Sequence, residues 1–563
     1  MKVTVTKNLN VRIGKPRLDA PNHEFLVPGS VIETDGKLYR GDVYDGNFFW
    51  YKDMAGNYYW SGGIDIPETE PNNTFSKATE FIDFHCHSIL KPYSKSFRRK
   101  KTRGKNTIKN KKRSIWHKTK LNILKKIGNA FISVTKFTQA DFKSAYKGGA
   151  KILMVSIDPM ERELVLSKNR KKPIADGLFL DFFQGIGKRR MNYLERLNDY
   201  FADLKQSYLY LDDLQNIPIK IGDKMVSYKM VSTYEEIDLT NEEIINIIPT
   251  MEGGHVFRSN LDSNLTKREI ENQVLDNIKE VKLGFGEDDS KVTPFFVSLS
   301  HHFKNGLCGH ADSLKKARAA YNQEANPKDG FEELGIKVIE ALLSKTYGKR
   351  ILIDVKHMNL KSRKFYYFNE LRIKEEVPII VSHGATNNLS WPEKDDTEIN
   401  FYKEEIPIIA KSGGIFGIQL DARRLREADY GFKRRGLNST IKREGLYKRA
   451  FFVWRQVEMM ALYIYEKKDT EFGFEDIDPW GFQVIGSDFD GVVDPLDGFW
   501  THSEMPLLCQ YLIVHAKTFL KTNKAKRLPN YEDLNAENLV EKFMFQNAQE
   551  FLIENFTAEK RGV

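Results

Sequence analysis

The chain has 563 residues, of which 41% are hydrophobic, 12% aromatic and 29% charged, with a net charge of +10. It is too long for one ordinary domain and has enough apolar residues for a large buried core. It contains no apolar run of about 18 residues, no signal-like N-terminal segment and only three cysteines, which predicts a cytoplasmic protein without transmembrane helices or a disulfide framework.

Residues 1–70 consist of short alternating runs separated by Gly, Asp, Asn and Pro, as in FLVPGSVIET and NFFWYKDMAGNYYWSGGI. This pattern predicts a small all-β barrel of hairpins, and these motifs resemble a bacterial SH3-like domain. That resemblance implies a groove for a peptide or a cell-wall fragment. Core packing is the interpretation we favour for any single aromatic residue of this segment: Phe48, Phe49, Trp50, Tyr51, Tyr58, Tyr59 and Trp60.

Residues 71–78 read PNNTFSKA, without hydrophobic periodicity, and are predicted to be a linker.

From residue 79 onward, short runs rich in Ile, Val and Phe alternate with amphipathic stretches such as 330–348 and 402–413, which are helix candidates. Continuous apolar runs are typical of buried parallel strands. The eight runs are TEFIDFHCH (79–87), KILMVSID (151–158), NIIPTMEGG (246–254), PFFVSLSHH (294–302), RILIDVKHM (350–358), PIIVSHGA (378–385), GGIFGIQLD (413–421) and FQVIGSDFDG (482–491). Eight strand–helix units predict a (β/α)8 TIM barrel over residues 79–563.

The basicity of the chain comes from one insertion in this barrel, residues 91–126, which holds 16 lysine and arginine residues and no acid. We favour a solvated, partly disordered insertion. The alternative is a patch for phosphate, nucleic acid or an anionic surface. Tyr93, Phe97 and Trp116 are too sparse for a base-stacking platform, so nucleic acid is not an expected partner.

Most of the apolar runs end on a side chain that can bind a metal ion. The carboxyl ends of barrel strands converge on one face, where such barrels build their active sites. Residues i and i+2 of a strand point to the same side, so His85 and His87 can reach the barrel mouth together. The donors are His85, His87, Glu252, His301, His302, His357, His383 and Asp488.

The order of these motifs over residues 79 to 555 resembles the membrane (renal) dipeptidase family of the amidohydrolase superfamily. The motifs are DFHCH, TQADF, MEGG, SLSHHFKNG, DVKHM, VSHGA, SGGIFGIQL and IGSDFDGV. The resemblance implies a zinc-dependent dipeptidase that cleaves an amide bond in a small peptide-like substrate through a hydroxide bridging two metals. A homodimer is also expected.

The resemblance implies roles for the individual residues. His85, His87 and Asp488 would hold the first Zn²⁺, His357 and His383 the second, and Glu252 would bridge the two ions. His301 would bind the substrate carbonyl and stabilise its negative charge, and Asp488 would carry the proton from the attacking water to the leaving amine. A bridging carboxylate offsets the repulsion between two cations about 3.5–4 Å apart.

Two features differ from the family pattern. His87 stands where the family usually has an acid, which makes the site one unit less negative. No arginine follows His383 closely to hold a substrate carboxylate; Lys394 is the nearest cation, with Arg423 and Arg424 as alternatives. Two other functions therefore stay open: a metal-dependent hydrolase of a different amide or ester class, and a catalytically inactive binding protein.

Overall fold

The computed structural model describes residues 2–44, 47–65, 80–97, 106–108, 111–119, 137–166, 185–285, 291–314, 323, 329–387, 397–425, 443–468 and 476–563. The predicted linker, 71–78, lies outside these residues, as does much of the basic insertion. Among the described helices, none combines the length and the apolar character needed to cross a bilayer.

The first part of the described chain forms an antiparallel sheet of seven strands: β1 (Lys2–Val5), β2 (Leu9–Ile13), β3 (Asn22–Leu26), β4 (Val31–Tyr44), β5 (Asn47–Asp53), β6 (Asn57–Trp60) and β7 (Ile64–Asp65). The strand order in this sheet is β3-β2-β6-β5-β4-β1-β7. Five of the seven aromatics singled out above are buried: Trp50, Tyr51, Tyr58, Tyr59 and Trp60. Core packing is therefore confirmed for these five; the side chains of Phe48 and Phe49 lie outside the described set. The sheet is compatible with a small all-β domain.

The remaining strands build a closed barrel of eight parallel strands, which confirms the predicted fold class. The barrel strands are β8 (Phe81–Cys86), β9 (Ala150–Ile157), β12 (Ile244–Glu252), β13 (Phe296–Ser298), β14 (Leu352–Asp354), β15 (Ile380–Gly384), β16 (Ile415–Ile418) and β17 (Gln483–Ile485). Each lies within one of the eight predicted runs or overlaps most of it. The ring closes because β9 pairs with β12 from Ile152↔Asn246 to Ile157↔Met251, while β17 pairs with β8 at Ile485↔Asp83.

Two strands were not predicted. The antiparallel hairpin of β10 (Ile219–Ile221) and β11 (Lys224–Met230) lies between β9 and β12 in the chain. Strand β11 then adds in parallel to the first half of β12, from Ser227↔Ile244 to Met230↔Ile247. Within its sequence, KMVSYKM, the positions from Val226 to Met230 alternate between buried and half-buried, as expected for a strand with one face packed against the core. It extends the sheet at the amino end of β12.

Helices surround the barrel, and the structure confirms a helix within each of the two candidate stretches, 330–348 and 402–413. The helices are α1 (Leu90–Ser96), α2 (Phe142–Gly148), α3 (Lys188–Leu194), α4 (Tyr200–Asp212), α5 (Lys267–Leu283), α6 (Glu333–Leu343), α7 (Leu360–Tyr367), α8 (Glu370–Lys374), α9 (Glu405–Lys411), α10 (Arg443–Lys468), α11 (Met505–Leu520), α12 (Ala536–Glu541), α13 (Asn547–Asn555) and α14 (Ala558–Arg561). A π-helical segment, Lys542–Gln546, joins α12 to α13.

Several of the described residues of the basic insertion are buried, whereas a solvated segment was predicted. Tyr93, Phe97 and Trp116 are buried in the main core. Lys91 is also buried, and its Nζ donates to Oδ1 of Asp490 at 2.6 Å. The prediction of a solvated segment was wrong for these residues, because burial of the aromatic side chains in the core stabilises this part of the chain despite the charge around it. Residues 98–105, 109–110 and 120–126 are not described.

Strands β15, β16 and β17 approach one another closely near Gly417. A Cβ atom at this position would lie 2.0 Å from the carbonyl oxygen of Ser382 and 3.1 Å from the Cα atom of Gly486. Both neighbours are backbone atoms of a closed sheet, so they cannot move aside without disturbing strand pairing.

We therefore expect Gly417→Ala to lower the free energy of unfolding by roughly 1–3 kcal/mol, through overpacking in the barrel wall. Urea titration of the metal-free protein measures this change. The matched control is Gly330→Ala, where a Cβ atom would meet only side-chain carbons of Lys361, at 3.3 Å or more. A Gly417→Ala protein as stable as this control would contradict the close approach of the strands.

Candidate metal centre

Every barrel strand brings a polar side chain to the same end of the barrel. Six of the eight were expected from the sequence; the other two strands, β9 and β16, contribute Asp158 and Gln419. The side chains at or just after the strand ends are His85 and His87 (β8), Asp158 (β9), Glu252 (β12), His301 (β13), His357 (β14), His383 (β15), Gln419 (β16) and Asp488 (β17).

The carboxylate of Glu252 lies between two pairs of imidazoles. Its Oε1 atom is 2.9 Å from Nε2 of His357 and 3.6 Å from Nε2 of His383. Its Oε2 atom is 3.1 Å from Nε2 of His87 and 3.7 Å from Nε2 of His85. Each oxygen of one carboxylate therefore faces a different pair of nitrogen donors. This is the arrangement that a carboxylate shared by two cations requires.

Asp488 completes the group of donors on the other side. Its Oδ1 atom is 3.2 Å from Nε2 of His87 and 4.0 Å from Nε2 of His85, and its Oδ2 atom is 3.9 Å from Nε2 of His383. The side-chain amide of Gln419 donates to Oδ2 at 2.6 Å. Gln419 thereby fixes the orientation of this carboxylate.

The donor atoms are close enough to share a cation. The ligand atoms of His85, His87 and Asp488 lie within 4.8 Å of one another, as do those of His85, Glu252 and His383. The Nε2 atoms of His85 and His87 are only 3.1 Å apart. Two neutral nitrogen lone pairs facing each other at this distance repel, so the pair needs a proton or a cation between them. Imidazole with carboxylate is a donor set that suits zinc and related ions.

The imidazoles of His357 and His383 are held in the neutral form, which is the form that can bind a metal ion. Burial, together with the positive charges of His301 and Lys356, lowers the pKa of His357 to about 3. Burial and the neighbouring His85 lower the pKa of His383 well below its usual value. Both rings are therefore neutral at pH 7, and a neutral imidazole is the form that ligates a metal ion.

On the side of the centre that holds His87, the carboxylates of Glu252 and Asp488 determine the protonation state of the imidazole. Burial alone raises the pKa of Glu252, but the surrounding His301 and His85 hold it well below its usual range, so this carboxylate is ionised. Burial lowers the pKa of His87, but Asp488 and Glu252 raise it well above its usual value. A metal ion binding here would replace the proton on His87 and supply positive charge in its place.

His301 stands beside this centre and has a partner of its own. Its Nδ1 atom lies 3.0 Å from Oε2 of Glu161, and its Nε2 atom lies 3.8 Å from Oε2 of Glu252. Burial lowers the pKa of His301, but these two carboxylates raise it to about 10. His301 is therefore an imidazolium at pH 7, with Nε2 turned towards the donors.

His302 does not point away from His301, as alternation along a continued strand would require. Strand β13 ends at Ser298, and the two rings stack with their centroids 3.9 Å apart. Nδ1 of His302 lies at hydrogen-bond distance, 2.7 Å, from Oγ of Ser313. Burial and the charge of His301 lower the pKa of His302 well below its usual value, so its ring is neutral.

Two of the donors sit on strained backbone. His357 and Asp488 have φ angles of 66° and 57°, in the left-handed region that costs roughly 1–2 kcal/mol for a residue with a side chain. The amide of Ala311 donates to the carbonyl of His357 at 2.7 Å, and the amide of Asp488 donates to the carbonyl of His85 at 2.9 Å. These bonds hold both donors in orientations that the chain alone disfavours.

A layer of satisfied carboxylates lies beneath the donors. Asp83 accepts from the amide and Oγ of Ser487, at 2.9 and 2.5 Å, and lies 2.6 Å from Nε2 of His502. Asp354 accepts from the Oγ atoms of Ser298 and Ser382, at 2.5 and 2.6 Å. These bonds fix neighbouring strand ends relative to one another. Asp83 was visible in the sequence, since it shares a strand face with His85 and His87; His502 and Glu161 had no such pattern.

Arg423 and Arg424, the two alternatives for holding a substrate carboxylate, differ in their contacts. The guanidinium of Arg423 is held by Asp421 and donates to the carbonyl of Val492 at 2.8 Å. Arg424 makes no ion pair with any residue of the described chain, and its Nε atom is buried without a hydrogen bond. Within the described residues, Arg424 is therefore the one of the two whose guanidinium forms no ion pair, although the charges of Asp421 and Asp488 act on it. Lys394 lies outside the described residues.

Comparison with known proteins gives structural neighbours only. No family model and no curated protein matches the chain. A metallopeptidase from Rhodobacter sphaeroides, solved with a phosphinate mimic of L-Ala-D-Ala, matches with 13% identity over 85% of this chain and 99% of its own, at a TM-score of 0.43. The metallopeptidase dipeptidase AC matches with 12% identity over 86% and 100%, also at 0.43. An amidohydrolase from Pseudomonas aeruginosa matches with 15% identity over 73% and 90%, at 0.38.

We expect Glu161→Gln to lower the pKa of His301 by roughly 1–3, because the substitution removes the negative charge beside Nδ1. NMR titration of the imidazole protons in the metal-free protein measures this value. Glu163→Gln is the matched control: Glu163 accepts from the hydroxyl of Tyr200 at 3.2 Å, and in the described chain the ion pairs of His301 are with Glu161 and Glu252. An unchanged pKa in Glu161→Gln would show that Glu161 is not what keeps His301 protonated.

Proposed function

We propose that the chain is a metal-dependent hydrolase of the dipeptidase and amidohydrolase type, which cleaves an amide bond in a small peptide-like substrate. One observation carries this proposal: the single carboxylate of Glu252 offers one oxygen to His85 and His87 and the other to His357 and His383. Two Zn²⁺ ions would suit this donor set: His85, His87 and Asp488 would hold one, His357 and His383 would hold the other, and Glu252 would contribute to both.

Divalent ions bound here would polarise the scissile carbonyl and make water a better nucleophile at neutral pH. The side chains of the protein supply the remaining steps. The imidazolium of His301 donates from Nε2 to the carbonyl oxygen and stabilises the negative charge that develops on it. Glu161, at 3.0 Å from Nδ1, keeps His301 charged and fixes its orientation.

Asp488 is the proton carrier in this proposal. Its Oδ1 atom faces the donors, while Oδ2 is held by the amide of Gln419. Asp488 accepts a proton from the attacking water and returns it to the leaving nitrogen, so that the amine departs neutral. His301 and Asp488 are therefore the two proposed catalytic residues.

We also propose an SH3-like domain at residues 1–70, a linker at 71–78 and the hydrolase barrel at 79–563. Binding of a peptide or cell-wall fragment by the first domain, a homodimer and a cytoplasmic location are predictions that depend on the sequence alone. A hydrolase of another amide or ester class on the same barrel is the alternative function.

The proposal is tested with metal-reconstituted protein and a panel of L-L and L-D dipeptides, other small amides and esters. We expect turnover of at least one amide, and we expect Glu252→Ala to lose both metal and activity because it removes the bridge. The matched control is Glu242→Ala, just before the amino end of the same strand, where the carboxylate is exposed and paired with Lys224. Turnover of esters alone would favour the alternative class, and less than one metal ion per wild-type chain would favour an inactive binding protein.

A second variant separates the role of His301 from metal binding. We expect His301→Ala to keep its metal content and to lose about 10²–10³-fold in kcat, the usual effect of removing one oxyanion donor. Metal analysis and steady-state kinetics on the same preparation measure both quantities. His301→Gln, which keeps a side-chain donor, should recover part of the rate. Release of metal from His301→Ala would mean that His301 is a ligand and that the assigned role is wrong.

A further inference from the structure

Asp158 stands at the metal centre although none of the roles above uses it. It follows directly after β9, and one of its carboxylate oxygens lies within 4.8 Å of the ligand atoms of both His87 and Glu252. The other seven barrel strands supply the remaining donors and Gln419. Asp158 is therefore the contribution of β9 to the same cluster of side chains.

The carboxylate of Asp158 lacks the partners that a structural role would give it. Its Oδ1 atom is buried and makes no hydrogen bond within the described chain. By contrast, Asp83 and Asp354 in the layer below each accept several hydrogen bonds. Burying a carboxylate oxygen without a partner costs several kcal/mol. A metal ion bound by Asp158 would give this oxygen a direct partner and offset the cost.

The backbone around Asp158 is fixed, so the side chain is not simply left over in a loose loop. The carbonyl of Pro159 lies 2.7 Å from Nε2 of His255. Glu161 accepts from the amides of His302 and Phe303, at 3.2 and 3.0 Å. The turn that follows Asp158 is thus tied to the segments after β12 and β13. A donor held in this way is preorganised towards the centre.

We infer that Asp158 is a further ligand of the metal centre, on the side of the ion held by His85 and His87; this rests on the metal centre proposed above. The site would then carry three carboxylates instead of two, which offsets more of the charge of two divalent ions. An added oxygen donor also raises the coordination number and shifts the preference of this position towards ions that favour oxygen, such as Mn²⁺.

The test is Asp158→Asn, which keeps the shape of the side chain and removes its charge. Metal-free wild-type and variant proteins are titrated with Zn²⁺ by equilibrium dialysis. We expect the variant to bind one of the two ions at least about 10-fold more weakly, comparable with the loss on removing groups that support metal ligands. The visible absorption of the Co²⁺ derivative, which depends on coordination number, is expected to change as well.

Two controls separate this effect from misfolding and from long-range charge. Asp262→Asn removes an exposed carboxylate that is paired with Arg162, and its Zn²⁺ affinity should equal that of the wild type. Thermal unfolding of metal-free Asp158→Asn should show no loss of stability, because the replaced carboxylate oxygen had no partner. Equal Zn²⁺ affinity and an identical Co²⁺ spectrum in wild type and Asp158→Asn would overturn the inference, even if turnover fell, and would leave the proposed function intact. A wild-type protein that binds no metal would overturn both.

Discussion

Closure of the barrel is the constraint on which the whole site depends. Parallel strands all end on the same side, so pairing of β9 with β12 and of β17 with β8 brings eight carboxyl ends into one ring. His85 and Asp488 are 403 positions apart in the chain, yet their side-chain atoms lie 4.0 Å from each other. An open sheet with the same strands would spread these donors along an edge.

The carboxylates inside the barrel lie in two layers, which differ in how many of their oxygens accept hydrogen bonds from the protein. In the lower layer, Asp83 and Asp354 are bonded to serine hydroxyls and backbone amides, and they join neighbouring strands. In the upper layer, Glu252 and Asp488 face imidazole nitrogens, two of which are only 3.1 Å apart and need a proton or a cation between them. Because the interior has a low dielectric constant, charged groups there are costly unless they are paired. The lower layer therefore stabilises the fold, and the upper layer is suited to bind ions.

The neighbouring charges also distinguish His301 from His357 and His383. His357 and His383 are neutral because burial dominates, and a neutral imidazole is the form that can ligate a metal ion. His301 is also buried, but Glu161 lies on its far side and raises its pKa to about 10. One additional carboxylate thus converts a potential ligand into a hydrogen-bond donor. This difference in environment is the physical basis for giving the residues different roles.

The sequence by itself determined the fold class and most of the donors. Apolar runs long enough to be buried on both faces predicted the parallel strands, and His85, His87, Glu252, His357, His383 and Asp488 could be named because each stands at the end of such a run. The spacing of His85 and His87 is enough to place both on one face, since side chains alternate along a strand. Each of these patterns involves only a few consecutive residues, so the sequence is enough to recognise it.

Only the tertiary structure decided which groups meet across the barrel. Glu161 and His502 become partners of His301 and Asp83 through contacts between distant segments, and no local pattern marks such pairs. The hairpin of β10 and β11 and the burial of Trp116 also depended on packing, which overrode the charge of the surrounding residues. Asp158 was visible at the end of its run, but only the position of its carboxylate near His87 and Glu252 led to the role inferred for it. Distances between residues far apart in the chain are set by closure of the sheet, and a sequence read one segment at a time does not contain them.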